Sequence, residues 1–106
     1  MPAESKFEVS LIKELLRLYH GAIILKNDPN LTQGFPDRLL LFKDKWAAFE
    51  IKAYETARHR QNQDYYIDVL NTMSYASFVY PENKESFLYE LQYALRPSRA
   101  TRIFKR

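Results

Sequence analysis

The stretch Trp46–Ala53 (WAAFEIKA) constrains the fold more than any other part of this chain. Extended backbone sends successive side chains to opposite faces. As a strand, the stretch puts Ala47, Phe49, Ile51 and Ala53 on one wholly apolar face. Trp46, Ala48, Glu50 and Lys52 share the other. The apolar face belongs in a core, so Glu50 and Lys52 sit side by side at the end of a strand buried on its reverse. Asp37–Phe42 (DRLLLF) reads as a second strand, joined to the first by the polar Lys43-Asp44-Lys45.

Helical and extended patterns alternate along the rest of the chain. Phe7, Leu11, Leu15 and Leu18 recur at helical spacing, widened by Ile12 and Leu16, which predicts a helix over about Ala3–His20 stopped by Gly21. Ala22–Lys26 is β-rich, and Asn27-Asp28-Pro29-Asn30 begins a loop that continues through Gln33-Gly34-Phe35-Pro36. Ala53–Gln61 is polar and reads as a loop. Asn62 is placed to cap a helix with Tyr66, Val69, Leu70 and Met73 on one face. Tyr75–Tyr80 is a short strand ended by Pro81. Pro81 or Glu82 then opens a last helix with Phe87, Leu88, Leu91 and Leu95 inward. The order α-β-β-β-α-β-α predicts an α/β fold, a central sheet with helices on its faces.

Composition narrows the function classes. The chain has 106 residues, enough for one domain, and 46% hydrophobic with 27% charged residues is the balance of a globular protein. Cysteine is absent, which removes disulfides, zinc–thiolate sites and thiol nucleophiles together. No apolar run approaches the roughly 20 residues that span a bilayer. Met1–Lys13 mixes charge throughout, unlike a signal peptide, so a cytoplasmic location without membrane association is expected. Lys and Arg number 16 against 13 Asp and Glu, a net charge of +3. The excess is uneven: Arg96, Arg99, Arg102, Lys105 and Arg106 crowd a basic tail at 96–106, and Arg58, His59 and Arg60 form a second knot. Such clusters favour a polyanion through counterion release; a solvated tail and ordinary loop charges are the alternative.

One constellation carries chemistry. Pro36-Asp37 opens the second strand, and twelve residues separate Asp37 from Glu50-Ile51-Lys52. A short hairpin brings Asp37 beside that triplet, although a one-residue slip in register would turn a side chain over. Neighbouring carboxylates are hard oxygen ligands suited to a Mg²⁺ ion that also takes phosphate oxygens. An adjacent lysine can stabilise charge developing on phosphate. Phosphodiester hydrolysis needs these parts and neither cysteine nor histidine. Glu-x-Lys also occurs at Glu4-Ser5-Lys6 and Glu82-Asn83-Lys84, but only the middle copy lies in an apolar strand that follows a Pro-Asp. The competing reading is a solvated strand edge.

Gly34-Phe35-Pro36-Asp37 and Phe49-Glu50-Ile51-Lys52 resemble the core motif of the PD-(D/E)XK nuclease superfamily. More narrowly, the chain is similar to small phage-type VRR-NUC and Holliday-junction-resolvase-like nucleases, from Glu4 to about Leu95. The similarity takes in the first helix, the Gly-x-Pro-Asp hairpin, a Gln-bearing helix after the Glu-x-Lys strand, and a closing strand and helix. It implies a restriction-endonuclease-like core with a mixed central sheet over residues 1–95.

The resemblance also implies Asp37 and Glu50 as ligands of Mg²⁺ or Mn²⁺, joined by the backbone carbonyl of Ile51, with Lys52 serving the attacking water. A first-helix glutamate would complete the set. The Glu-Ser-Lys-Phe start favours Glu4 over Glu8, which becomes structural if Ser5 caps the helix in a capping box. Gln63 matches the glutamine of the helix after the catalytic strand. The implied activity is metal-dependent DNA hydrolysis leaving a 5′-phosphate, on branched or structured DNA of phage metabolism, in the host cytoplasm. Lys26, Arg58, His59 and Arg60 are candidate contacts to the nucleic-acid backbone, and a homodimer is expected because one site cuts one strand. The tyrosines at 65, 66, 75, 80, 89 and 93 are expected in the core and a subunit interface, or in base stacking. The rival function is a non-catalytic nucleic-acid-binding module or a subunit of a phage DNA-processing complex. A structural interaction protein is the third.

Overall fold

The computed structural model describes residues 3–28 and 30–97, with side chains from Ser5 onward. The elements follow the order read from the sequence: α1 (Ala3–Leu18), β1 (Ile23–Lys26), β2 (Arg38–Phe42), β3 (Lys45–Ile51), α2 (Gln63–Met73), β4 (Tyr75–Val79) and α3 (Lys84–Ala94). A 3-10 turn, Pro81–Asn83, precedes α3, so the last helix opens later than Pro81 or Glu82. Pro81 suits that turn, since it lacks an N–H and fixes φ near the helical value.

The sheet is mixed, in the order β1-β2-β3-β4. β1 pairs antiparallel with β2, β2 antiparallel with β3, and β3 parallel with β4. Antiparallel β2 and β3 need only a tight turn, which Lys43 makes at φ 55. Parallel β3 and β4 need a crossover, and α2 supplies it. Gly21 at φ 90 ends the first helical segment as the sequence suggests.

Helices cover both faces. α1 and α3 pack on one, where Leu11, Leu15, Phe87, Leu91 and Leu95 meet Leu40, Ala47, Phe49, Ile51 and Val79. On the other, Ile67 and Leu70 of α2 meet Ala48 and Ala76, with Phe35, Leu39, Trp46, Tyr66 and Phe78 around them. Phe49 is 0% exposed and lies edge-on to Phe87 at 5.3 Å between ring centroids. Phe49→Ala is expected to cost about 3–5 kcal/mol, the lost transfer energy plus an uncollapsed cavity. Urea unfolding would register it as a lower midpoint with an unchanged slope.

Several expectations need correcting. The inward face of α2 is Gln63, Ile67 and Leu70, whereas Met73 is 65% exposed. An apolar-only pattern excludes Gln63, which lies on the same buried face as Ile67 and Leu70. Asn62 occupies the N-cap position in the left-handed conformation (φ 70) and makes no side-chain capping bond. Leu16 and Leu18 are exposed: Leu16 is off the buried stripe and Leu18 is in the last turn. β3 ends at Ile51, so Ala53 lies beyond the strand. Tyr65, Tyr89 and Tyr93 are exposed, whereas Tyr66, Tyr75 and Tyr80 are half-buried. Arg96 stacks over Tyr93 at 4.7 Å; the rest of the expected tail from Ser98 on, with Arg99, Arg102, Lys105 and Arg106, lies outside the described residues.

Candidate active site

The hairpin register decides what lies beside Glu50. Arg38 is the Cα partner of Phe49, and one step further along both strands brings Asp37 opposite Glu50. The Asp37 N–H donates to Glu50 Oε1 at 3.1 Å, so the two acidic residues are directly joined. Asp37 Oδ1 is buried. Alternation then places Asp37 and Glu50 on the α2 side of the sheet with Ala48, while Arg38 and Phe49 turn to the α1 side.

Lys52 follows β3 directly, and its N–H extends the ladder to the Val79 carbonyl at 2.9 Å. Its side chain is only 7% exposed. A buried ammonium is costly unless it is given oxygen partners. Lys52 Nζ donates to Gln63 Oε1 at 2.8 Å and to the Arg58 carbonyl at 3.1 Å. Gln63, 5% exposed, also accepts the Arg60 N–H on the same oxygen at 2.8 Å. One amide oxygen thus joins the end of β3, the loop after it and the start of α2.

These groups line a cleft of about 620 Å³. Asp37, Glu50, Lys52 and Gln63 border it together with Lys26, Asn27, Asn30, Gln33, Gly34, Phe35 and Arg60. The Asn27 N–H donates to the Asp37 carbonyl at 2.8 Å, which ties the end of β1 to the site. Gly34 carries the loop against the start of α2. At φ +89, a Cβ added there would lie 2.5 Å from the Gln61 carbonyl oxygen and 2.6 Å from Asn62 Cβ. Phe35 meets Tyr66 edge-on at 5.4 Å and completes that docking.

The structure thus gathers Asp37, Glu50, Lys52, Gln63, Lys26 and Arg60 around one cleft. It places other expected residues elsewhere. Glu8 is paired with Arg38, whose Nε donates to Glu8 Oε2 at 3.1 Å, on the α1 side of the sheet. The side chain of Glu4 lies outside the described residues. Arg58 meets the site through its carbonyl rather than its guanidinium. His59 stacks on Phe78 at 4.0 Å, with Nδ1 2.8 Å from Asp64 Oδ1. Asn27 was expected only beside Lys26 as a phosphate contact, and Asn30 and Gln33 were not singled out from the sequence. Their only signal is a run of amides in the loop that precedes Pro36-Asp37.

As oxygen donors, Asp37 and Glu50 have the right chemistry for a divalent cation such as Mg²⁺. Among the described residues, no group of three or more His, Asp or Glu side chains is assembled as a metal site. No helix among them is long and apolar enough to cross a membrane. Comparison with protein families, curated proteins and solved structures found no match to this chain.

Proposed function

We propose that this protein is a metal-dependent nuclease of restriction-endonuclease-like architecture that hydrolyses DNA phosphodiesters. The observation that carries the reading is the joined pair Asp37–Glu50 on the sheet face that also holds the buried Lys52, at the edge of a cleft bordered by Lys26 and Arg60. Asp37 and Glu50 would hold Mg²⁺ or Mn²⁺, with the Ile51 carbonyl as a third oxygen. The Lys52 N–H faces β4, so the Ile51 backbone faces β2. Continuing the β2–β3 register sets Pro36 opposite Ile51, and proline has no N–H to offer that carbonyl.

A divalent ion bound there supplies polarisation of a phosphoryl oxygen and a lower pKa for water. The protein supplies the rest. Lys26 and Arg60 attract the backbone phosphates. Gln63 Oε1 and the Arg58 carbonyl hold the Lys52 ammonium in place, and its remaining N–H is available to negative charge developing on phosphate. Water oxygen bonds to phosphorus, the bond to the 3′ oxygen breaks, and that oxygen takes a proton, leaving a 5′-phosphate. A homodimer would present two such sites to the two strands of a duplex or junction.

The test is incubation with supercoiled plasmid and a four-way junction in Mg²⁺, Mn²⁺ or EDTA. Nicking that requires metal is the expected result. Only two carboxylates border the cleft among the described residues, which favours a second reading: a nucleic-acid-binding module without catalysis. Metal-independent retardation with no nicking under any condition would select that reading and end the first.

A further inference from the structure

The middle residue of the basic knot at 58–60 is an exposed residue that packs against the fold through one ring face. The His59 ring lies flat on Phe78 of β4, with centroids 4.0 Å apart and planes inclined by 17°. Its Nδ1 is 2.8 Å from Asp64 Oδ1 in the first turn of α2. Phe78 is the strand partner of Glu50. His59 is therefore clamped between the strand beside the acidic pair and the helix that carries Gln63.

Its chain neighbours give this clamp a consequence. The residue before it offers the carbonyl that accepts Lys52 Nζ at 3.1 Å. The residue after it donates the N–H that holds Gln63 Oε1 at 2.8 Å, and this oxygen is the other acceptor of Lys52 Nζ. These two acceptors of the ammonium thus depend on backbone within one residue of His59. The segment between β3 and α2 contains no regular secondary structure, so side-chain anchors must hold it.

We propose that His59 is a positioning residue: by clamping the 58–60 backbone between Phe78 and Asp64, it fixes where the Lys52 ammonium points, without touching nucleic acid itself. The proposal rests on the nuclease reading and deepens it. A positioning role and a phosphate contact leave different traces. Losing a phosphate contact raises KM and flattens its salt dependence. Losing position leaves binding intact and lowers kcat, because small displacements of a charge-stabilising group are costly in rate.

His59→Ala is expected to lower kcat about tenfold, with KM and its salt slope unchanged. His59→Phe keeps a flat ring on Phe78 and is expected to recover most of that loss. Asp64→Ala, at an exposed position, removes one anchor and is expected to give a smaller fall in kcat. A second measurement needs no substrate. In a short pulse of acetic anhydride read by peptide mass spectrometry, buried Lys52 is expected to react slowly beside exposed Lys13. In His59→Ala, Lys52 labelling is expected to rise severalfold while Lys13 labelling stays constant.

A raised KM with a flatter salt slope, unchanged kcat and unchanged Lys52 labelling would overturn the proposal in favour of direct phosphate contact. Equal losses in His59→Phe and His59→Ala would overturn the role of the stack. If the parent protein cleaves nothing, the nuclease reading falls, and labelling alone decides the coupling of His59 to Lys52. A severalfold rise then supports the coupling, and no rise overturns it.

Discussion

A Glu50→Gln protein is expected to melt with the parent and to cleave DNA at least about a thousandfold more slowly in Mg²⁺. The amide oxygen can still accept the Asp37 N–H that Glu50 Oε1 accepts at 3.1 Å, so the hairpin end keeps its hydrogen bond. Only the negative charge is lost, and with it half of the carboxylate pair proposed to hold the cation. Single-turnover cleavage and thermal melting on the same preparation separate the two effects. A rate within tenfold of the parent would remove Glu50 from the reaction. Glu50→Ala is a poorer test because it also strands the Asp37 N–H beside a void.

Gly34→Ala is expected to be among the most destabilising small substitutions in the protein. Any L-residue at φ +89 pays about 1–2 kcal/mol for the left-handed backbone. The added methyl would also sit 2.5 Å from a backbone carbonyl oxygen of the neighbouring loop, and such overpacking typically costs about 1–3 kcal/mol. The combined loss of about 2–5 kcal/mol is a large share of the roughly 5–15 kcal/mol that holds a domain together. Gly21→Ala is the internal control. It has a similar φ of +90 but nothing within 4 Å of the added carbon, so it should pay the backbone term alone. Urea unfolding of both variants isolates the contact between the Gly34 loop and the start of α2. Equal losses would mean that this contact contributes nothing.

Most of the framework was legible because local patterns carry it. The two-residue period of Trp46–Ala53 placed Glu50 and Lys52 on one face, and the helical spacing of Leu11, Leu15, Phe87 and Leu91 marked core positions that are buried. What escaped was non-local. Gln63 entered the expected site only through the family resemblance, because a lone polar side chain gives no burial signal until its partner, Lys52, is known. Gln63 lies on the buried face of α2 with Ile67, whereas Met73 points outward. His59 was expected only as a nucleic-acid contact within a basic knot, because its actual contacts, Phe78 and Asp64, belong to a strand and a helix that the loop merely connects. Glu8 was a candidate for the site until Arg38, distant in sequence, was found to hold it on the other side of the sheet.

By itself, the sequence determined the order of elements and the sharing of one strand face by a carboxylate and an amine, because backbone stereochemistry acts between adjacent residues. Only the tertiary structure decided that Asp37 stands against Glu50 and that Gln63 and the Arg58 carbonyl hold Lys52. Those choices depend on strand register and on packing between segments far apart in the chain, where one residue of slip would have sent the same side chains to the opposite face.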